Sequence, residues 1–272
     1  MRKKKVLIVT QEMQPYTSST EISEVSRKLP QYIQEKGIEI RILMPRFGAI
    51  NERRHRLHEV VRLSGMNIIV EDDDYPLVIK VASLPEGRMQ VYFLDNDDFF
   101  RRKHIFLDEQ DQPFTDNADR MVFFCKGVIE TVKKFGWAPD IVHCHGWMTS
   151  LVPLYMKTVY RTEPLFQHSK VVYSIYNEPM GKTLEDSFLS KALINHLGAE
   201  DLKAYQNGAG VTLQRGAMMY ADAVVQGSAE LEASTQDYLH HIDKPFLPYP
   251  GENYLESILE FYQSLFLEKV SE

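Results

Sequence analysis

The sequence predicts an α/β protein with a Rossmann-like, mostly parallel sheet and helices on both faces, and three observations carry that expectation. A strand, helix, strand pattern opens the chain, with β-rich runs at 5–9 (KVLIV) and 38–43 (IEIRIL) around a helical-period stretch. The same alternation returns from residue 118 to residue 225. Between them, from about 57 to 94, several β-rich runs are separated only by turn signals, which predicts a β-hairpin insertion.

The first helix follows from Ile22, Val25, Leu29 and Ile33, which recur at spacings of three and four. Ser18 with Glu21 three residues later predicts a capping box, Gly37 supplies a stop, and Pro30 is expected to kink the helix. In the insertion the turns are assigned to Asp72-Asp73-Asp74 and Pro85-Glu86-Gly87. Residues 118–134 are the next helix, with Ala118, Met121, Val122, Cys125, Val128, Ile129 and Val132 on one stripe and Gly136 and Pro139 ending it. Ile141-Val142 then opens a strand, Leu151 to Tyr160 reads as a helix, 170–175 (KVVYSI) as a buried strand, Gly216 to Tyr220 as a helix and 223–225 as a further strand.

No internal repeat or low-complexity linker divides the chain, so residues 1–244 are taken as one Rossmann-like domain. The tail, 245–272, reads as an extended turn (PFLPYPG) and then an amphipathic helix with Tyr254, Leu255, Ile258, Leu259, Tyr262, Leu265 and Phe266 on its stripe. That stripe is expected to bury itself on the same domain.

Composition narrows the function. Lys and Arg total 31 against 38 Asp and Glu, a formal charge of -7, which argues against a nucleic-acid partner. The basic start Met1-Arg2-Lys3-Lys4-Lys5 is followed by an apolar run of only Val6 to Val9, too short for a signal peptide or a membrane span. Cys125 and Cys144 lack C-x-x-C spacing, so no disulfide framework and no zinc site are expected, and the compartment is read as the cytoplasm. No G-x-G-x-x-G or Walker pattern occurs, and no cofactor is expected.

In an open parallel sheet, ligands sit at the carboxyl ends of strands. The strings to inspect are therefore 10–21 (TQEMQPYTSSTE), 143–148 (HCHGWM), 174–179 (SIYNEP) and, ahead of a strand, 215–222 (RGAMMYAD). Together with 7–16, 42–50 (ILMPRFGAI), 91–100 (VYFLDNDDFF), 116–124 (DNADRMVFF) and 137–157, they resemble the N-terminal domain of bacterial glycogen and plastid starch synthases. The resemblance implies one half of a GT-B glycosyltransferase, whose family moves glucose from ADP-glucose to the non-reducing end of an α-1,4-glucan.

The resemblance also marks departures. Where the family carries Lys-Thr-Gly-Gly-Leu, with a lysine for the donor phosphates, this chain has Ser18-Ser19-Thr20-Glu21-Ile22. Glu21 and Glu24 then oppose an anion at a helix N-terminus that would otherwise attract one. In the family's His-x-His-Asp-Trp-His, Gly146 and Met148 replace the aspartate and the last histidine. His143 and His145 face one side of their strand like a metal pair, but no third ligand follows, so they are read as structural or as lining a site. The family's catalytic-site histidine is Tyr176 here, a poor proton shuttle with an ordinary pKa of about 10. Arg215 stands at the place of a family lysine and is read as a surface ion-pair partner.

No catalytic residue and no metal ligand is assigned. The candidate substrate-binding residues are Ser18, Ser19, Thr20, His145, Trp147, Tyr176 and Asn177, with Trp147 either stacking on a sugar or belonging to the core. After residue 222 no stretch corresponds to the family's donor-binding C-terminal motifs, so the chain is read as an N-terminal half that is inactive alone. Glycogen-type α-glucan and ADP-glucose are the candidate ligands. A separate chain supplying the C-terminal half is the candidate partner, and a non-catalytic glucan-binding or regulatory protein is the alternative.

Overall fold

The computed structural model describes residues 2–84, 89–178, 184, 187–207 and 210–267. In chain order the strands are β1 Lys5–Thr10, β2 Glu39–Pro45, β3 His58–Glu59, β4 Met66–Val70, β5 Asp73–Ser83, β6 Gln90–Asp95, β7 Ile141–His145, β8 Lys170–Ile175, β9 Gln206–Asn207, β10 Gly210–Val211, β11 Ala223–Gln226 and β12 Phe246–Leu247. The helices are α1 Glu21–Glu35, α2 Glu52–His55, α3 Asp97–Phe100, α4 Asn117–Phe135, α5 Leu151–Lys157, α6 Ser187–Ala192, α7 Leu213–Tyr220, α8 Ala233–His240 and α9 Tyr254–Leu267.

The main sheet runs β12-β11-β8-β7-β1-β2-β6-β5-β3, with β4 paired to β5. From β12 through β6 every pairing is parallel, and β5, β4 and β3 add the antiparallel insertion that the turn signals predicted. The predicted turn at Pro85-Glu86-Gly87 lies outside the described residues. The two central strands are apolar enough to be covered on both faces: Val6 to Thr10 and all of β7 are buried. The ion cluster of Asp95 Oδ2 with Arg46 Nε and Lys80 Nζ, both at 2.9 Å, ties the insertion to the parallel part.

Helix α1 forms where its apolar period predicts, but its cap differs from the expected one. Thr20, at φ -138° and ψ 164°, is the N-cap, and its Oγ1 accepts the Ser23 N–H while Ser23 Oγ accepts the Thr20 N–H. Ser23 fills the N3 role that the sequence reading gave to Glu21, and Ser18 lies exposed outside the helix. The helix continues through Pro30, and Gly37, at φ +86°, supplies the left-handed stop. In α4 the whole predicted stripe from Ala118 to Val132 is buried. The helix after β7 is shorter than read: α5 ends at Lys157, and Thr158 leaves helical geometry at φ -120° and ψ -84°. Its first turn is a separate 3₁₀ turn, Trp147–Thr149, and α7 begins three residues before the expected Gly216.

In the tail, β12 pairs with β11, and α9 presents Ile258, Leu259, Tyr262 and Leu265 to the interior, alongside α1. Tyr262 has no exposed surface, and its hydroxyl shares a 2.5 Å hydrogen bond with His143 Nδ1 of β7. The Lys4 ammonium lies over the Phe266 ring at 4.8 Å. No helix among the described residues is long and apolar enough to cross a membrane.

Candidate functional site

Strand register brings the candidate residues together. Thr10 pairs with His145, His145 with Ser174, and Ile175 with Gln226. The loops that leave β1, β7, β8 and β11 therefore start side by side at the carboxyl edge of the sheet.

The loop after β7 turns at Gly146, whose φ of +87° suits glycine. A Cβ there would stand 2.3 Å from the Gln11 side chain, so the bare backbone lets Gln11 pack directly against it. Gln11 is then fixed at both ends: its Oε1 accepts the Met148 N–H at 3.1 Å, and its Nε2 donates to Glu178 Oε1 at 2.7 Å. The other Glu178 oxygen accepts the Trp147 N–H at 3.0 Å. Burial raises the Glu178 pKa to about 8 against the pull of these donors, and Glu12 adds to the rise. At neutral pH this carboxyl is mostly a protonated acid.

Behind this layer lies a buried chain of aromatic polar groups. The rings of His143 and His145 are 4.0 Å apart, and both residues are fully buried. His143 is held between Tyr262 and Ser174, the latter at 2.7 Å from Nε2, while His145 Nδ1 meets the Tyr176 hydroxyl at 2.8 Å. Burial lowers His145 to about 3 and His143 well below its ordinary value, so both are neutral imidazoles across the physiological range. Tyr176 is pinned in turn by Gly227, where a Cβ would stand 2.5 Å from its ring. Burial pushes the Tyr176 phenol well above its usual range, which leaves it a neutral hydroxyl.

A cleft of about 290 Å³ opens in front of these residues. Of the sequence candidates, Thr20, Trp147, Tyr176 and Asn177 line it. Ser18 and Ser19 do not; both are exposed, and Ser19 Oγ donates to Glu24 Oε1 at 2.7 Å. His145 sits behind Tyr176 rather than in the wall. Trp147 is both things the sequence left open: fully buried, edge-on to Phe106 at 5.1 Å, and part of the lining. Its indole Nε1 makes no hydrogen bond. Arg215 is exposed and lies over the Tyr238 ring at 5.3 Å, away from the cleft.

Gln11, Glu12, Phe106 and Glu178 also line the cleft and were missed as site residues. Gln11, Glu12 and Glu178 stand inside the strand-end strings already singled out, but only the register reveals that they meet. Among the described residues no lysine or arginine lines the cleft, whereas Glu12, Glu21 and Glu178 do. A neighbouring cavity of about 210 Å³ shares Tyr176 and adds Glu24 and Glu252. Among the described residues no group of three His, Cys, Asp or Glu side chains is arranged to hold a metal ion.

Residues 5–244 match the family model described as the starch synthase catalytic domain. The chain belongs to that family. Among curated relatives, the glycogen synthase of Chlorobium phaeovibrioides is 39% identical over 197 residues, covering 72% of this chain and 40% of that protein. The glycogen synthase of Chlorobaculum tepidum is 38% identical over 226 residues, covering 82% and 46%. The chain thus spans less than half the length of these relatives. The solved catalytic domain of Starch Synthase IV from Arabidopsis thaliana, bound to ADP and acarbose, superposes with a TM-score of 0.76 over 91% of this chain and 51% of that one. At 19% identity that likeness establishes a shared starch-synthase fold, the α/β architecture read from the sequence. The starch-synthase match runs through all three strand ends that line the cleft, those of β1, β7 and β8.

Proposed function

We propose that this chain serves α-glucan metabolism as a glucan-binding member of the starch synthase family and does not by itself transfer glucose from ADP-glucose. One observation carries the reading: among the described residues the strand-end cleft is lined by carboxyls with no cation, and the imidazoles of His143 and His145 behind it are buried and neutral. A nucleotide diphosphate entering there would bring negative charge to Glu12 and Glu21 with no arginine or lysine among the described lining residues to meet it. The N-terminus of α1 does not compensate, because Thr20 caps the Ser23 amide and Glu21 and Glu24 occupy the first turn. A neutral glucan meets none of that repulsion. It finds amide and carboxyl groups for its hydroxyls and the partly exposed Phe106 ring for its apolar faces. A cytoplasmic place of action goes with this reading.

A second reading is favoured by the extent of the family match, 5–244, against the less than half of each relative that the chain spans. In it, a separate chain supplies donor-binding groups and completes a transferase site over the same cleft.

The test is a calorimetric titration of the purified protein with maltoheptaose and with ADP-glucose, paired with an assay of labelled glucose incorporation into glycogen. Binding of maltoheptaose, no heat from ADP-glucose and no incorporation are expected. Turnover by the chain alone in the ordinary enzymatic range, on the order of 1–1000 per second, would overturn the proposal.

A further inference from the structure

Both oxygens of the Glu178 carboxyl are held by the protein, Oε1 by Gln11 and Oε2 by the Trp147 amide. The groups that fix it are themselves immobile. Gln11 is held by the Met148 N–H and by the close approach that Gly146 allows, and Trp147 is fully buried. Three strand ends thus converge on one acid. A carboxyl oxygen can accept more than one hydrogen bond, so this cradle leaves capacity directed to a ligand. In the same wall the Trp147 indole Nε1 is a donor with no partner, inside a residue with no exposed surface.

Among the described residues, the charged and titratable groups that line the same surfaces as Glu178 carry the same sign or none. Glu12 follows β1, Glu21 begins α1, and Glu230 and Glu232 follow β11 on the polar surface that Glu178 also lines; Tyr173 of β8 and Tyr176 just after it lie beside Glu178. No lysine or arginine is among the described residues of either lining. Such surroundings disfavour an ionised carboxylate and favour a group that donates as well as accepts.

We propose that Glu178 is the specificity-determining residue of this cleft: held by Gln11 and Trp147, it acts as a neutral acid that binds a hydroxyl of a glucose unit and makes glucan binding sensitive to pH. The proposal rests on the glucan-binding reading and deepens it. A sugar hydroxyl both donates and accepts, so it suits an acid group that does the same. Ionising the acid removes the donor and adds a negative charge to an already acidic wall.

The experiment is a calorimetric titration of maltoheptaose from about pH 6 to about pH 10 on the wild type, Glu178→Gln and Glu178→Leu, with circular dichroism confirming that each is folded. Wild-type affinity should fall about tenfold as pH rises through about 8. Glu178→Gln, an isosteric neutral donor, should bind within about threefold of the wild type at low pH and lose that pH dependence. Glu178→Leu, if folded, should bind at least about tenfold more weakly at every pH. Maltoheptaose binding that stays pH-independent in the wild type, or a full pH dependence kept in Glu178→Gln, overturns the role of Glu178 and leaves the glucan reading standing. Absence of maltoheptaose binding in the wild type at every pH overturns both.

Discussion

Replacing Tyr262 with phenylalanine removes one oxygen atom from the interface between the tail helix and the sheet, and the structure sets the size of the effect. The Tyr262 ring is fully buried and stands edge-on to His143 at 5.6 Å, contacts that phenylalanine keeps. What disappears is the hydrogen bond to His143 Nδ1, in a place that water does not reach. His143 keeps its Ser174 partner on Nε2 but loses the other, and one unsatisfied buried group costs about 1–3 kcal/mol. At roughly 2–4 °C per kcal/mol for a chain of this class, the melting temperature should fall by about 2–12 °C. Tyr262→Ala adds a cavity to the same loss and should cost more, about 3–5 kcal/mol. Thermal unfolding followed by circular dichroism measures both, with Leu267→Ala as a control because that residue is 84% exposed. A Tyr262→Phe protein that melts with the wild type, while Leu267→Ala does too, would refute the argument that His143 needs this partner.

Other outcomes follow from the strand-end layer. Gly146→Ala forces a Cβ to within 2.3 Å of Gln11 at φ +87°, and should destabilise by about 1–3 kcal/mol in a urea titration; unchanged stability would mean that the turn relaxes freely. Glu178 is protonated in the folded protein up to about 8 but only up to about 4.5 in the unfolded chain, so the unfolded state binds fewer protons between those values. Stability should therefore decline as pH rises across that window, and Glu178→Gln should flatten the decline; parallel pH curves for the two proteins would contradict it. Glu21→Lys with Glu24→Lys replaces acid with base in the first turn of α1, and should raise affinity for ADP by roughly tenfold or more; calorimetry without an ADP signal in either protein would show that this end of the helix does not receive phosphate.

The parallel strands and the long helices were legible because each is governed by a local period. Ile22, Leu29 and Ile33 mark the buried side of α1, and Ala118 to Val132 the buried side of α4. The α1 cap was misplaced for an equally local reason. Ser18, Ser19 and Thr20 offer three successive hydroxyls, and a serine at N3 does the work expected of a glutamate, so only the backbone angles at Thr20 decide the register. Of the residues the sequence offered, Thr20, Trp147, Tyr176 and Asn177 line the cleft because Trp147, Tyr176 and Asn177 follow strand ends and Thr20 caps the helix after β1. Gln11 and Glu178 were not, since their hydrogen bond joins residues 167 positions apart and depends on how β1, β7 and β8 pair. His145 was read as lining and is instead one layer back, because the larger Tyr176 side chain stands between it and the cleft.

The ends of the main sheet also bear on how copies of this protein meet one another. Its last parallel strand, β12, is two residues long and lies between Pro245 and Pro248, neither of which has an N–H to offer a newcomer. At the opposite end β3 is again only two residues, Val60 already turns back onto Ile79, and His58 and Glu59 are exposed and polar. A wide parallel sheet with an open rim is a template on which strands from other molecules can polymerise, and a two-residue rim gives such growth little to copy. The parallel part of the sheet therefore ends in a strand too short to recruit another molecule by edge pairing, and the five-residue β4 beside β3 is left as the longer antiparallel edge.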